Sequence, residues 1–335
     1  MQVISDADKI DRTEWSDFVY KHPHGNIFLT PEMFDVYKNT KNYIPLFLAI
    51  IDENKEIQAL LLAVIQREYS GIIGNFSARS IVFGGPIIKD NSYEKLDQLL
   101  NKYDQIIKRK AIYTQFRNFY CQNGIREIFV RNDYTYVNHL NIILDLSVGE
   151  DELWKNFSRS RKKGIKKALS ENFIFEFTHD KQHLREFYRL LSNTYRRIKL
   201  PIPEEGHFEE ILKIFSNNNF QIFSIHKNGE IVVAMFALVY KKTILGYYMG
   251  SVSDNEIIKQ KPIDLLFWEV FKWSIDRGLN FFDWMGAGKP EKSYGVRDFK
   301  LQYGGETKNF GRFEKTHKPL IYNLAKIGLT IWQKL

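Results

Sequence analysis

Apolar positions in this chain follow two spacings. Residues 44–51 and 56–66 are short, branched and almost continuously apolar, separated by a turn at 52–55, as expected of strands buried on both faces. A further run at 80–83 stops at Gly84, Gly85 and Pro86. Tyr93, Leu96, Leu99, Leu100, Tyr103 and Ile107 then recur at helical spacing, and 112–116 is strand-like again. The same order returns later: 220–226, a turn at 227–229, 230–240, 244–249 ending at Gly250, a helix over 263–277 and a strand at 281–284. The offset from Glu56-Ile57 to Glu230-Ile231 is close to that from Tyr113 to Phe282, so one supersecondary unit occurs twice at a period of about half the chain. Chance alternation in two unrelated α/β domains is the competing explanation. A strand at 136–146 and a break at 148–150 put the junction near Asp151. The pattern therefore predicts an α/β chain with mixed central sheets, an N-terminal domain over 1–150, a C-terminal domain over 151–314, and a last segment, 315–335.

The junction opens on a strongly basic helix. Lys155, Arg159, Arg161, Lys162, Lys163, Lys166 and Lys167 follow one another without an acid, while Leu153, Trp154, Phe157, Ile165, Ala168 and Leu169 form an apolar stripe interrupted by Gly164. Arg159 with Lys163 and Lys162 with Lys166 are like-charged pairs four apart, each costing about 0.2–0.5 kcal/mol. Arg159, Arg161, Lys162, Lys163, Lys166 and Lys167 are therefore expected to contact a polyanion or an anionic donor; the alternative is a solvated face. In 315–335, Leu320, Ile321, Leu324, Ile327, Ile331, Trp332 and Leu335 make a helical stripe among Lys315, Lys318, Lys326 and Lys334. Such a helix can lie on an anionic bilayer or pack on the protein body.

Composition narrows the setting. With 335 residues, 44% of them hydrophobic, there is material for two cores. The single cysteine, Cys121, excludes an intramolecular disulfide and a CxxC pair. No signal-peptide pattern and no apolar run near ~20 residues occur, so a cytoplasmic location, with peripheral contact at the inner membrane face through 315–335, is the expectation. A formal charge of +8 favours anionic company. His179 and His183 lie four apart, but HDKQH lacks the glutamate of a zinc protease and no third ligand is evident, so no metal is expected.

Candidate chemistry gathers after the strand at 281–284. Gly286, Ala287, Gly288 and Lys289 are followed by Tyr294, Gly295, Val296, Arg297, Asp298, Phe299, Lys300, Tyr303, Gly304 and Gly305. A glycine-rich loop at a strand's carboxyl end is where α/β folds place ligands. It is no Walker loop, because Pro290 follows Lys289 and the glycine spacing is wrong.

The SRSRKKGIKKA helix, the TYRR stretch at 194–197, KPIDLL at 261–266 and the FKLQYGGE ending together resemble the FemAB-type peptidoglycan bridge transferases. They are similar also to acetyltransferase-like (GNAT-fold) proteins of polysaccharide biosynthesis. The resemblance spans roughly residues 27–306 and implies two tandem acyltransferase-like units joined by the basic helix. It implies N-acyl transfer: an acyl or aminoacyl group passes to an amino group of a cell-envelope precursor or glycan, nucleotide- or lipid-linked.

By position, Phe299 and Lys300 match the family's pair near the acyl donor, and Thr194 with Arg196 the pair near the acceptor's phosphates. Arg197, Tyr248 and Lys289 join that binding set. A guanidinium fork suits phosphate oxygens, and a lysine near the reacting ester can stabilise developing negative charge. Surface or core-packing roles are the alternatives for each. Asp283 is the best-placed carboxylate for removing the amine proton, with capping or ion pairing as its alternative. No cofactor is expected, since the acyl donor is a co-substrate: aminoacyl-tRNA, acyl carrier protein or acyl-CoA. Simple acetyltransferases hold the coenzyme A pyrophosphate on a glycine-rich turn, but residues 251–277 contain no glycine and Pro262 has no N–H, which weakens acetyl-CoA as donor. Non-catalytic tRNA or RNA binding, or membrane-surface binding, through the basic helices is the competing function.

Overall fold

The computed structural model describes residues 1–68, 77–121 and 123–324. It divides into two compact units, residues 1–139 with 309–335, and residues 140–308.

The first unit runs β1 (Gln2–Ile4), α1 (Arg12–Lys21), α2 (Pro31–Asn39), β2 (Tyr43–Ile51), β3 (Ile57–Gln66), β4 (Arg79–Phe83), β5 (Ile87–Ile88), α3 (Tyr93–Lys110), β6 (Tyr113–Arg117), α4 (Arg126–Arg131) and β7 (Thr135–Val137). Its helices start where the sequence supplies a cap. The Thr30 hydroxyl accepts from the Met33 N–H, with Pro31 at the first position of α2, and Ser92 accepts from Lys95 ahead of α3. The predicted stripe Leu96, Leu99, Leu100, Tyr103, Ile107 is buried on the sheet. The Tyr103 hydroxyl is satisfied there by Ser80 Oγ at 2.7 Å and Thr114 Oγ1 at 3.0 Å.

The second unit runs β8 (Leu140–Asp145), α5 (Glu150–Asn156), α6 (Arg159–Leu169), β9 (Ile174–Thr178), α7 (Lys181–Arg197), α8 (Glu205–Ile214), β10 (Phe220–Lys227), β11 (Glu230–Tyr240), β12 (Thr243–Ser251), α9 (Asn255–Lys259), α10 (Pro262–Asp276), β13 (Phe281–Gly286), α11 (Gly295–Leu301) and β14 (Glu306–Asn309). The chain ends its described part with β15 (Arg312–Thr316) and the start of a helix at 319.

Sheet order reveals the duplication. The first sheet reads β1-β2-β3-β4-β6-β15-β7, with β5 on β3; the second, reversed, reads β9-β10-β11-β12-β13-β8-β14. In each, antiparallel strands lead to one parallel pair, β4 with β6 and β12 with β13, joined through the long helices α3 and α10. Tandem α/β units with mixed sheets are thus observed.

The boundaries fall elsewhere than 150 and 314. β8, expected at the end of the first domain, pairs with β13 of the second, and β15 returns to pair with β6 and β7 of the first. Local apolar spacing carries no information about which sheet a strand joins, so both exchanges escape it. Within 315–335, Lys315 belongs to β15 rather than to a helix, and binds Asp104 at 2.7 Å. The helix begins at 319, with Leu320 and Leu324 exposed. Ile327, Ile331, Trp332, Leu335, Lys326 and Lys334 lie outside the described residues.

Candidate active site

Two bulges open the second sheet. Between β11 and β12 the register passes from Phe236 opposite Tyr248 to Ala237 opposite Gly246, leaving Tyr247 as an extra residue. Between β13 and β8 it passes from Asp283 opposite Ile143 to Gly286 opposite Asn141, so Trp284 and Met285 face Ile142 alone. Met285 takes a left-handed φ of 60°. Bulges bend and re-aim strands. Accordingly β12 and β13 pair only from Thr243 with Phe281 to Leu245 with Asp283, and no pairing follows. Parallel strands that part in this way leave unpaired carbonyls on β13.

Lys300, in the last turn of α11, occupies those carbonyls. Its Nζ donates to Trp284 O at 2.7 Å and Gly286 O at 3.0 Å. Burial lowers its pKa to about 8, opposed by the nearby Asp283 carboxylate. Asp283 is buried on β13, where its Oδ1 accepts the Met285 N–H at 2.7 Å and so holds the bulge. Burial raises its pKa to about 6, countered by the Met285 hydrogen bond, Lys300 and Asn141. Burial disfavours the charged form of each group, and the opposite charge of the other favours it. An ammonium has three protons, and two are placed on carbonyls, so one can face a reacting group.

Thr194 and Tyr248 border the parting strands. The Thr194 hydroxyl accepts from Ser251 N–H at 3.0 Å and donates to Ser251 O at 3.2 Å, which ties α7 to the end of β12. Gly250 makes that approach possible: a Cβ there would stand 2.3 Å from Leu191 N. Tyr248 packs 5.5 Å from the Phe208 ring and 5.9 Å from the Tyr195 ring. Burial raises the Tyr195 hydroxyl pKa, with Tyr248 and Tyr294 close enough to add to it. Three tyrosines from α7, β12 and the residue before α11 are thereby brought together; the sequence placed Tyr195 in the TYRR stretch and Tyr294 in the glycine-rich run without giving either a role. Arg196 and Arg197 are exposed at the end of α7 without an acidic partner among the described residues. Lys289 is exposed, and the Arg297 guanidinium fixes its loop by donating to Lys289 O at 2.8 Å and Lys292 O at 2.7 Å.

The basic helix α6 is not uniformly solvated. Arg161 turns inward: its Nη1 stands 2.5 Å from Asp264 Oδ1 on α10, and its guanidinium lies 4.9 Å from the Phe299 ring centre. Tyr303 donates to the same carboxylate oxygen at 2.7 Å. Burial raises the Asp264 pKa, opposed by Tyr303 and Arg161. Arg161 is thus removed from the set of cations available to a polyanion, because an acid 103 residues away neutralises it. Phe299 is half-buried against the core and packs on Tyr303 at 5.4 Å; it supplies shape, not a reactive group. Lys162 donates to Lys155 O at 2.8 Å. Arg159, Lys163, Lys166 and Lys167 remain exposed, with no acidic partner among the described residues.

Residues 155–295 match the family model described as acetyltransferase (GNAT) domain. The crystal structure of FemX shares 14% identity over 97% of this chain and 99% of its own, with a TM-score of 0.73. The fold is a tandem GNAT fold. A tandem GNAT protein from the clavulanic acid biosynthesis pathway superposes at TM-score 0.60, with 6% identity over 94% of this chain and 98% of its own. The C-terminal domain of a putative lysylphosphatidylglycerol synthetase from Agrobacterium fabrum does so at 0.59, with 13% identity over 96% and 95%. No curated protein matches the sequence.

Proposed function

We propose that the second unit transfers an acyl or aminoacyl group to an amino group of a cell-envelope precursor or glycan. The observation that carries this reading is Lys300, an ammonium of lowered pKa held where β12 and β13 part. Attack by a neutral amine on the donor's ester carbonyl forms the C–N bond and puts negative charge on the carbonyl oxygen. As the intermediate collapses, the ester C–O bond breaks, the attacking nitrogen gives up the proton that the amide does not keep, and the departing alkoxide gains one, so that Lys300 is left with the protons it began with. The third Lys300 proton suits either oxygen, and its low pKa makes it a better acid than an ordinary lysine. Asp283 acts on Lys300 through its charge, and Arg196, Arg197 and Lys289 are the cations exposed for acceptor phosphates.

A donor other than acyl-CoA is supported by the start of α10. Pro262 supplies no N–H there, and Asp264 in the first turn brings its own carboxylate, paired with Arg161. Arg159, Lys163, Lys166 and Lys167 favour a polyanionic donor such as charged tRNA, which predicts salt-sensitive binding. The names of the FemX and lysylphosphatidylglycerol synthetase neighbours agree with envelope chemistry. Exposed Leu320 and Leu324 favour peripheral membrane contact, which liposome flotation with and without residues 319–335 checks.

The deciding experiment incubates the protein separately with charged tRNA, acyl-CoA and acyl carrier protein in the presence of envelope precursors. Loss of the acyl group from one pool, slowed ~10²–10³-fold by Lys300→Ala, supports the reading. If no pool is consumed, or Lys300→Ala turns over undiminished, the assignment fails.

A further inference from the structure

On the side of the second unit where β9 forms the sheet edge, three potential ligands converge from three elements. Glu176 lies on β9, His183 in the first turn of α7 and His226 on β10, and one ligand atom of each stands within 4.8 Å of the others. His183 Nε2 is 3.5 Å and His226 Nε2 3.1 Å from the same Glu176 Oε2. Ligand atoms bound tetrahedrally at 2.0–2.1 Å stand about 3.3 Å apart, so both separations already suit one small ion.

The surroundings orient the imidazoles. His183 Nδ1 stands 2.9 Å from Asp180 Oδ2, while the other Asp180 oxygen caps α7 by accepting the Gln182 N–H at 3.0 Å. A carboxylate on Nδ1 holds the proton there and leaves the Nε2 lone pair facing the cluster, as outer partners of metal-bound histidines do. Ser224, two residues before His226 on the same face of β10 and directly opposite Glu176 in the ladder, places its Oγ 2.9 Å from His226 Nε2, a hydrogen bond that a bound ion would displace. The register slips between Ile225 and His226, where a bulge in the facing strand re-aims the side chain. A cavity of about 610 Å³, bordered by Gln182, His183, Glu186, Arg189, His226 and Glu230, opens beside the cluster.

We propose that Glu176, His183 and His226 form a site for a zinc-class transition metal, with three protein ligands and a fourth position open to that cavity. Two imidazoles and one carboxylate are an open-site zinc donor set. The ion would clamp the edge strand β9 to β10 and α7, independently of the transfer reaction. His179, which the sequence pairs with His183, is not a ligand: its Nε2 faces Asn217 O at 2.9 Å and the Gln221 amide.

The test uses full-length, tag-free protein stripped with chelator and titrated with zinc against a micromolar chromophoric chelator, and in parallel with cobalt(II). One zinc per chain and the intense visible bands of four-coordinate cobalt are expected. His183→Gln and His226→Gln should each weaken binding at least ~10-fold and Asp180→Asn ~10–100-fold, while His179→Gln leaves it unchanged. Should a histidine variant fail to fold, Glu176→Gln on the exposed edge strand carries the same test. Absence of stoichiometric uptake, or wild-type affinity in folded His226→Gln or Glu176→Gln, overturns the site.

Discussion

At the scale of single residues, the Lys300–Asp283 pair makes two linked predictions. Lys300→Ala removes a donor aimed at developing charge, so turnover should fall ~10²–10³-fold while far-ultraviolet circular dichroism stays unchanged. The wild-type rate should decline as pH rises through about 8, where Lys300 loses its proton, and as pH falls through about 6, where Asp283 gains one. Asp283 raises the Lys300 pKa, so Asp283→Asn should move the alkaline limb to lower pH. An unmoved limb in a pH–rate series would separate the two groups. Lys300 was legible in the sequence because FKLQYGGE is a contiguous motif. The role of Asp283 in holding the Met285 bulge was not, since it depends on a backbone conformation that no residue type announces.

At the scale of elements, the glycine that interrupts α6 acquires a reason. Glycine costs about 1 kcal/mol in a helix interior, yet a Cβ on Gly164 would stand 2.0 Å from Asp264 Oδ2. The helix gives up propensity so that α10 can bring a buried carboxylate to Arg161. Gly164→Ala should therefore destabilise by about 1–3 kcal/mol in urea titration. Asp264→Ala, which strands a largely buried guanidinium, should cost about 3–5 kcal/mol. In the double variant the methyl group meets no carboxylate, so the two losses should sum to more than the double variant shows. Additive losses would remove the steric explanation. Apolar spacing revealed α3 and α10 and the long strands, because their buried faces are written in local order. Charge spacing misassigned Arg161, because its partner lies in a different helix and the sequence between them does not link the two.

For the molecule as a whole, the decisive feature is a short strand that contributes to a distant sheet. β15 is mostly polar, Arg-Phe-Glu-Lys-Thr, and so reads as part of a basic tail; one buried side chain gives it its place. Phe313 is fully buried, its ring parallel to that of Phe129 at 4.0 Å and near Tyr136 at 5.3 Å. The strand pairs on both sides, with β6 and β7, so removing its anchor exposes two ladders at once. Phe313→Ala should cost about 3–5 kcal/mol, and the loss should be confined to the first unit. Amide exchange should quicken in β6 and β7, while the central strands β10, β11 and β12 keep wild-type protection. Transfer activity gives a second readout, because Lys300, Asp283 and the parting strands all belong to residues 140–308. If exchange quickened equally in both sheets, the units would not be separate folding bodies. If it quickened in neither, β15 would be dispensable to the sheet it completes.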